Sequence, residues 1–322
     1  MKFSDIQATI SDDFKAVDAL IMEQLNSDVP LIGEVGNYIV SSGGKRLRPL
    51  VCLLSANAFN YKGSDHITMG AIVEFLHTAT LLHDDVVDQS VMRRGKATVN
   101  TVWGNPHSVL VGDFLISRSF QMMVSLGNIA LMEILAEATN TISKGEVLQL
   151  INIHDPDTTE ESYMKVIRYK TAKMFEAAAE AGAVMAGQGK EQVNAMGDYA
   201  RHMGAAFQLA DDILDYTGSA EEMGKNVGDD LAEGKPTMPL IYTINNGTAA
   251  QSATIRKAIT KGGLDNLEEI IEMVKSSGAI EYTHEYALNE ARLAADALSI
   301  VPESKYRDAL EGLAKLAVER SS

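Results

Sequence analysis

What most constrains the fold of this chain is a helical rhythm of apolar residues that runs from one end to the other. In residues 5–26, Ile6, Ile10, Phe14, Val17, Leu20, Ile21 and Leu25 recur at three- and four-residue steps, the pattern of a helix with one buried face. Comparable segments fill residues 31–40, 49–59, 65–88, 106–126, 130–150, 158–186 and 190–216, and shorter amphipathic helices complete the chain. Ser4 and Ser64 stand where N-caps belong. Pro49 and Pro106 stand in first turns, where a missing N–H is tolerated. No strand-like alternation lasts long enough to build a sheet, and no repeat or Pro/Ser linker divides the sequence. The expected architecture is a single large all-α domain over residues 1–322. The Ala- and Gly-rich stretch 175–187 predicts close helix packing around a cavity or at a subunit interface.

Charge and cysteine content exclude several function classes. Lys and Arg total 28 against 44 Asp and Glu, a net charge of −16. That balance opposes non-specific nucleic-acid binding, which depends on neutralising phosphates, and binding to anionic membranes through a broad basic face. The lone Cys52 excludes an internal disulfide framework and fits a reducing compartment. The N-terminus lacks the apolar segment of a signal peptide, and no uninterrupted apolar run reaches bilayer length. A cytoplasmic location is expected.

The acidic residues are not spread evenly. Residues 81–88 read Leu-Leu-His-Asp-Asp-Val-Val-Asp. On a helix Asp84 and Asp88 are i and i+4, on one face and one turn apart, where like charges repel. Carboxylates at a helix C-terminus also oppose its dipole. A hard divalent cation, Mg²⁺, reverses both penalties. One such cluster can equally frame a helix end. A second, Asp211-Asp212-Ile213-Leu214-Asp215 with Gln208 one turn earlier, lies within another apolar helical segment and tips the reading toward metal. If the two helices oppose each other across a cavity, Mg²⁺ ions there bridge to a diphosphate.

Basic groups gather in separate segments. Gly43-Gly44-Lys45-Arg46-Leu47-Arg48-Pro49 places three cations at a glycine turn before a helix start, an anion site in outline. It lacks the GxxxxGK[ST] spacing of a nucleotide P-loop. Arg93 and Arg94 follow the first aspartate cluster. Lys170, Thr171 and Lys173 lie in an apolar helix, where a cation calls for an anionic partner. Lys225 and Lys235 bracket an acidic stretch. His77 lies two turns before Asp84, on nearly the same face; His83 is rotated away from it.

These motifs, in this order, resemble those of the trans-isoprenyl diphosphate synthases. The resemblance rests on 43–49, 84–88 with Arg93-Arg94, 211–215 and 224–237, and so covers most of the chain. It implies an all-α fold with a central cavity, usually a homodimer, and head-to-tail condensation of isopentenyl diphosphate with an allylic diphosphate. By the same resemblance Lys45, Arg48, His77 and Arg94 hold the isopentenyl diphosphate. Asp84, Asp88 and Asp211, with Asp85, Asp212 and Asp215, bind Mg²⁺ on the allylic diphosphate. Arg93, Lys170, Thr171, Gln208, Lys225 and Lys235 contact that allylic group. Product length is expected to depend on the space below Asp84. Ala79 and Thr80 are small where short-chain members of the family carry bulky aromatics, so a long product is expected, with Leu76, Met122 and Met123 as candidate wall or floor.

Three other readings compete. An HD-type phosphohydrolase would use His83-Asp84 but leaves the second cluster and the 43–49 turn without a role. A terpene cyclase would carry an Asn/Ser/Glu metal motif where Asp211 to Asp215 stand. A non-catalytic subunit of a heteromeric prenyl synthase would lack part of the aspartate clusters.

Overall fold

The computed structural model describes residues 1–218, 227–263 and 266–319; Lys225 lies outside the described residues. Where the periodicity reads one helix over 5–26, the chain forms two, α1 (Phe3–Ala8) and α2 (Ser11–Gln24). The Thr9 hydroxyl donates to the Ile6 carbonyl at 2.7 Å, and Ile10 leaves helical geometry with φ −135° and ψ 29°. Such local side-chain bonds compete with the helix ladder. The apolar spacing runs across the break because Ile6 and Ile10 are both buried.

The next elements follow the sequence reading closely: α3 (Pro30–Ser41), α4 (Leu47–Ala58) and α5 (Asp65–Val87). After α5 the basic loop is a small hairpin, β1 (Met92–Arg93) against β2 (Lys96–Ala97). Its two-residue tip, Arg94-Gly95, has φ +53° and +72°, the paired positive values that match the twist of a tight hairpin. Then come α6 (Val99–Trp103), α7 (Asn105–Leu126), α8 (Ile129–Asn152) and α9 (Glu160–Val166). A π-helical turn, Ile167–Ala172, joins α9 to α10 (Lys173–Met185). The sequence reads 158–186 as uninterrupted helix. α11 (Lys190–Thr217) carries the second aspartate cluster. Helices Asp229–Ala232, Met238–Asn246, Ala249–Lys261, Leu267–Ser276, Ala279–Ala297 and Lys305–Val318 follow.

The chain groups into two compact units. The first comprises Met1–Thr139, Met174–Asp198 and Ala297–Leu313. There α5 packs against α2, α4 and α7, burying Leu50, Leu53, Met69, Ile72, Phe75 and Leu115. Each such side chain contributes about 1.5–3 kcal/mol when removed from water. Gly182 of α10 meets α4 backbone to backbone: a Cβ there would lie 2.6 Å from Ser55 Cβ and 2.8 Å from the Cys52 carbonyl oxygen. This is the close packing expected of 175–187. Cys52 itself is fully buried, and burial pushes its thiol up to about 12.

The second unit comprises Asn140–Lys173, Tyr199–Asp296 and residues from Ala314 onward. Its core joins Tyr216, Leu231, Leu240, Ile255, Ile259, Ile270 and Val274. Thr248 starts Ala249–Lys261 with a capping box: the Gln251 amide N–H donates to Thr248 Oγ1 at 3.2 Å, and the Thr248 N–H donates to Gln251 Oε1 at 2.7 Å. Two orphan donors are satisfied reciprocally.

Among the described residues one helix, α7, has the length and mean hydropathy to cross a bilayer. Asp113 and Arg118 interrupt its apolar run in the sequence. The helix is two-sided. Val111, Gly112, Leu115, Ser119, Met122 and Met123 are buried, whereas Leu110, Phe120 and Val124 are exposed.

Candidate active site

In the first unit the glycine turn before α4 is shaped around a guanidinium. Gly43 and Gly44 have φ +75° and +133°, values that cost a residue with a Cβ dearly. The Arg94 guanidinium lies on this turn and donates to the Gly43 carbonyl; a Cβ on Gly44 would stand 2.7 Å from Arg94 Cζ. The hairpin tip and the 43–49 turn, distant in sequence, are thereby joined. Arg46, also left-handed at φ +45°, pairs with Asp18.

Arg48 connects this turn to α5 by donating from Nη1 to His77 Nε2 at 3.0 Å. Its guanidinium also stacks on Phe175, 4.4 Å from the ring centroid, a favourable cation–π placement. Burial, then Arg48, Arg94 and Arg93, hold the His77 imidazole well below its ordinary range. It is a neutral acceptor toward Arg48. Lys45 lies 5.5 Å over the Phe3 ring. Three of the four residues expected to hold isopentenyl diphosphate, Arg48, His77 and Arg94, are therefore brought together, with Lys45 on the same turn.

The first aspartate cluster closes α5 with two kinds of carboxylate. Asp84 and Asp88 are partly exposed, and the Asp88 N–H donates to the Asp84 carbonyl at 2.7 Å. Asp85 is 4% exposed and points the other way. One of its oxygens accepts from Arg93 Nε at 2.9 Å and Nη2 at 2.7 Å. Asn100 Nδ2 donates to its carbonyl at 3.1 Å. His83 is turned toward α7, with Nε2 3.2 Å from the Val109 carbonyl and 3.4 Å from Asp113.

The second unit repeats this division. Asp211 is partly exposed, whereas Asp212 and Asp215 are 3% and 0% exposed. The Tyr163 hydroxyl donates to Asp212 Oδ2 at 2.5 Å and the Gln208 amide donates to Oδ1 at 2.8 Å. Burial, reinforced by Asp212, holds the Tyr163 phenol well above its ordinary range. Asp215 accepts from the Asp230 N–H at 3.3 Å. The Lys235 N–H donates to the Asp230 carbonyl at 2.8 Å, and its ammonium pairs with Glu233.

The π turn presents Lys170 and Thr171 together, consistent with the frequent use of π turns at functional sites. Lys170 Nζ meets Glu146 Oε2 at 2.6 Å and donates to Gln149 Oε1 at 2.7 Å. These are the anionic and polar partners its apolar helix demanded. Gly145 lets α8 approach, since a Cβ there would lie 2.7 Å from Lys170 N.

The candidate chain-length residues lie in the first unit. Ala79, Leu76, Met122 and Met123 are buried, and the Thr80 hydroxyl is turned back to the His77 carbonyl at 2.8 Å.

Four residues around these sites belong to no sequence motif. Tyr163, Glu146 and Gln149 hold named site residues, and Glu74 lines a shallow recess with Arg46 and Arg94. Burial raises the Glu74 carboxyl above its ordinary range against the pull of Arg46, Arg48 and Arg94. Only Glu74 leaves a sequence signal, a polar residue one turn before His77 in an apolar helix.

Among the described residues no three His, Cys, Asp or Glu side chains converge as a ready-made metal cage. The carboxylate pair at Asp84 and Asp88 still suits Mg²⁺, which takes one or two carboxylates and completes its shell with water and phosphate oxygens.

Comparison with known proteins gives one answer at every level. A family model described as Polyprenyl synthetase matches residues 29–275. The octaprenyl diphosphate synthase of Escherichia coli K12 is 52% identical over 321 residues, 99% of each chain. An all-trans-nonaprenyl-diphosphate synthase of Rhodobacter capsulatus is 48% identical, over 98% of this chain and 97% of its own. Among solved structures, a polyprenyl synthase from Caulobacter crescentus CB15, complexed with calcium and isoprenyl diphosphate, superposes with a TM-score of 0.96 at 41% identity. It covers 100% of this chain and 98% of its own. A decaprenyl diphosphate synthase from Rhodobacter capsulatus gives 0.95 at 44%, covering 100% of both. Fold and motifs define the class, an all-α prenyltransferase. More narrowly, the chain belongs to the polyprenyl synthetase family.

Proposed function

We propose that this chain is a long-chain trans-polyprenyl diphosphate synthase that adds isopentenyl diphosphate units head-to-tail to an allylic primer such as farnesyl diphosphate. Octaprenyl diphosphate is the proposed product, destined for the side chain of a respiratory quinone, with the cytoplasm as its place of synthesis. The observation that carries the reading is the seat built around Arg94: a double-glycine turn holding its guanidinium, with Arg48 bonded to His77 beside it. His77 sits on the same helix as Asp84, with Asp88 at its C-cap.

In this reading Lys45, Arg48, His77 and Arg94 bind and orient the isopentenyl diphosphate. Arg93, Lys170, Thr171, Gln208, Lys225 and Lys235 bind the allylic diphosphate. Asp84, Asp88 and Asp211 hold Mg²⁺, and the buried Asp85, Asp212 and Asp215 brace them. When bound, Mg²⁺ neutralises charge growing on the leaving diphosphate. Lys and Arg side chains act on the same charge, as preorganised cations do wherever negative charge develops. The allylic C–O bond breaks with its electron pair leaving on the diphosphate, the isopentenyl double bond attacks C1, and the resulting cation gives up a proton to the departing diphosphate, with no nucleophilic side chain required. Apolar walls keep water from the cationic carbon.

The proposed unit of function is one domain over residues 1–322, supported by a family match that runs through segments of both compact units. A homodimer is proposed on the exposed apolar stripe Leu110, Phe120 and Val124 of α7.

The decisive assay combines purified chain, Mg²⁺, labelled isopentenyl diphosphate and farnesyl diphosphate, with product length read by chromatography. An extended prenyl diphosphate is expected, and its absence overturns the reading. Asp84→Ala and Asp211→Ala should each lower kcat by at least about a hundredfold with the helical circular-dichroism spectrum unchanged.

A further inference from the structure

The second aspartate cluster is tied to the π turn by a chain of hydrogen bonds in which every proton has one possible direction. Asp212 is 3% exposed and Tyr163 6%. A carboxylate only accepts, so Tyr163 donates to Oδ2, at 2.5 Å, and the Gln208 amide must turn its nitrogen to Oδ1, at 2.8 Å. This fixes the opposite end of the amide. Its carbonyl oxygen, Oε1, faces Thr171 and accepts the Thr171 hydroxyl proton at 3.1 Å. Rotating the amide would set Oε1 against a carboxylate oxygen, so the order Tyr163 to Asp212, Gln208 to Asp212, Thr171 to Gln208 cannot be reversed.

We infer that Tyr163 is a positioning residue for the allylic-diphosphate site, acting through Asp212 to fix the Gln208 amide and through it the Thr171 hydroxyl. The inference rests on the proposed roles of Gln208 and Thr171. It also sharpens them. The Thr171 proton is committed to Gln208, which holds its hydroxyl in one orientation, and the second N–H of the Gln208 amide is left to donate to a phosphate oxygen. Tyr163 touches no substrate in this scheme. Asp212 likewise serves as a brace, with both oxygens engaged, while Asp211 remains at the surface of α11. The buried geometry gives these bonds their strength, since charge-assisted hydrogen bonds are roughly twice as strong as neutral ones and a low local dielectric strengthens them further.

The test is steady-state kinetics of Tyr163→Phe, Gln208→Ala and the double variant, alongside NMR of the Gln208 side-chain amide. Tyr163→Phe should raise KM for the allylic diphosphate about tenfold, equivalent to ~1.4 kcal/mol, and leave KM for isopentenyl diphosphate within about twofold. Gln208→Ala cuts the chain of bonds downstream, so adding Tyr163→Phe to it should change KM by less than about twofold. Equal effects on both KM values, no effect, or multiplying effects in the double variant would each overturn the inference. The Gln208 amide protons, assigned by their loss in Gln208→Ala, should exchange slowly in the native chain and rapidly in Tyr163→Phe; unchanged exchange would overturn it too. That measurement needs no turnover. A chain that makes no prenyl product yet shows the exchange change would refute the proposed function and leave the hydrogen-bonded arrangement standing.

Discussion

Asp84 and Asp85 are neighbours in sequence and opposites in environment. Asp84 sits partly exposed at the end of α5, whereas Asp85 is buried against Arg93. Asp211 and Asp212 divide in the same way. The i, i+4 spacing in the sequence places Asp84 with Asp88 and Asp211 with Asp215 on shared faces, and that much needs only helix geometry. Which doubled aspartate turns inward depends on Arg93 and Tyr163, partners 8 and 49 residues away, so it cannot be read from local spacing. His77 adds a pH signature at this scale. Its imidazole is held well below the ordinary range by burial and by three arginines. As pH falls through the ordinary imidazole value, the unfolded chain gains a proton that the folded chain refuses. Stability is therefore unaffected by this group above that value and declines below it. Urea midpoints from about pH 7.5 to about pH 5 should fall further for the native chain than for His77→Gln; parallel curves would contradict the assignment.

Helices were legible from periodicity because most of them bury one stripe against a neighbour. The break at Thr9 and the π turn at 167–172 were not, since both preserve the apolar spacing while changing the backbone. Ile167 and Ala172 are buried as an α-helical reading would have them. The π turn is the element that brings Lys170 and Thr171 forward, and α8 supports it at Gly145. Gly145→Ala would force backbone apart at a 2.7 Å approach. A destabilisation of about 1–3 kcal/mol is expected, measured by urea unfolding, with a raised KM for the allylic diphosphate. On α5, Thr80 lies one turn before Asp84, with Ala79 fully buried beside it. Thr80→Phe should shorten the product to fewer isoprene units while the first addition persists. Unchanged chain length would remove Thr80 from the wall of the growing chain.

For the molecule as a whole, a charge of −16 and the binding of diphosphates are reconciled by placement. Cations are concentrated at the 43–49 turn, the hairpin tip and the π turn. Assembly follows a similar logic of placement. On α7, Leu110 is 65% exposed and Val124 63%, an apolar stripe beyond what a scattered surface residue needs. Leu110→Glu with Phe120→Glu should convert the proposed dimer to monomer in sedimentation velocity, with the circular-dichroism spectrum retained. A native chain that sediments as a monomer at micromolar concentration would end the dimer proposal.

The seal around Cys52 has a practical side. The chain's one thiol lies under Gly182, fully buried and with its acidity suppressed. Reagents that need an exposed thiolate will pass it by while the fold is intact. Any cysteine added at an exposed position away from the α7 stripe, Leu288 for instance, becomes the sole attachment point for a fluorophore or spin label. Distances and assembly can then be followed in a chain that keeps its native cysteine.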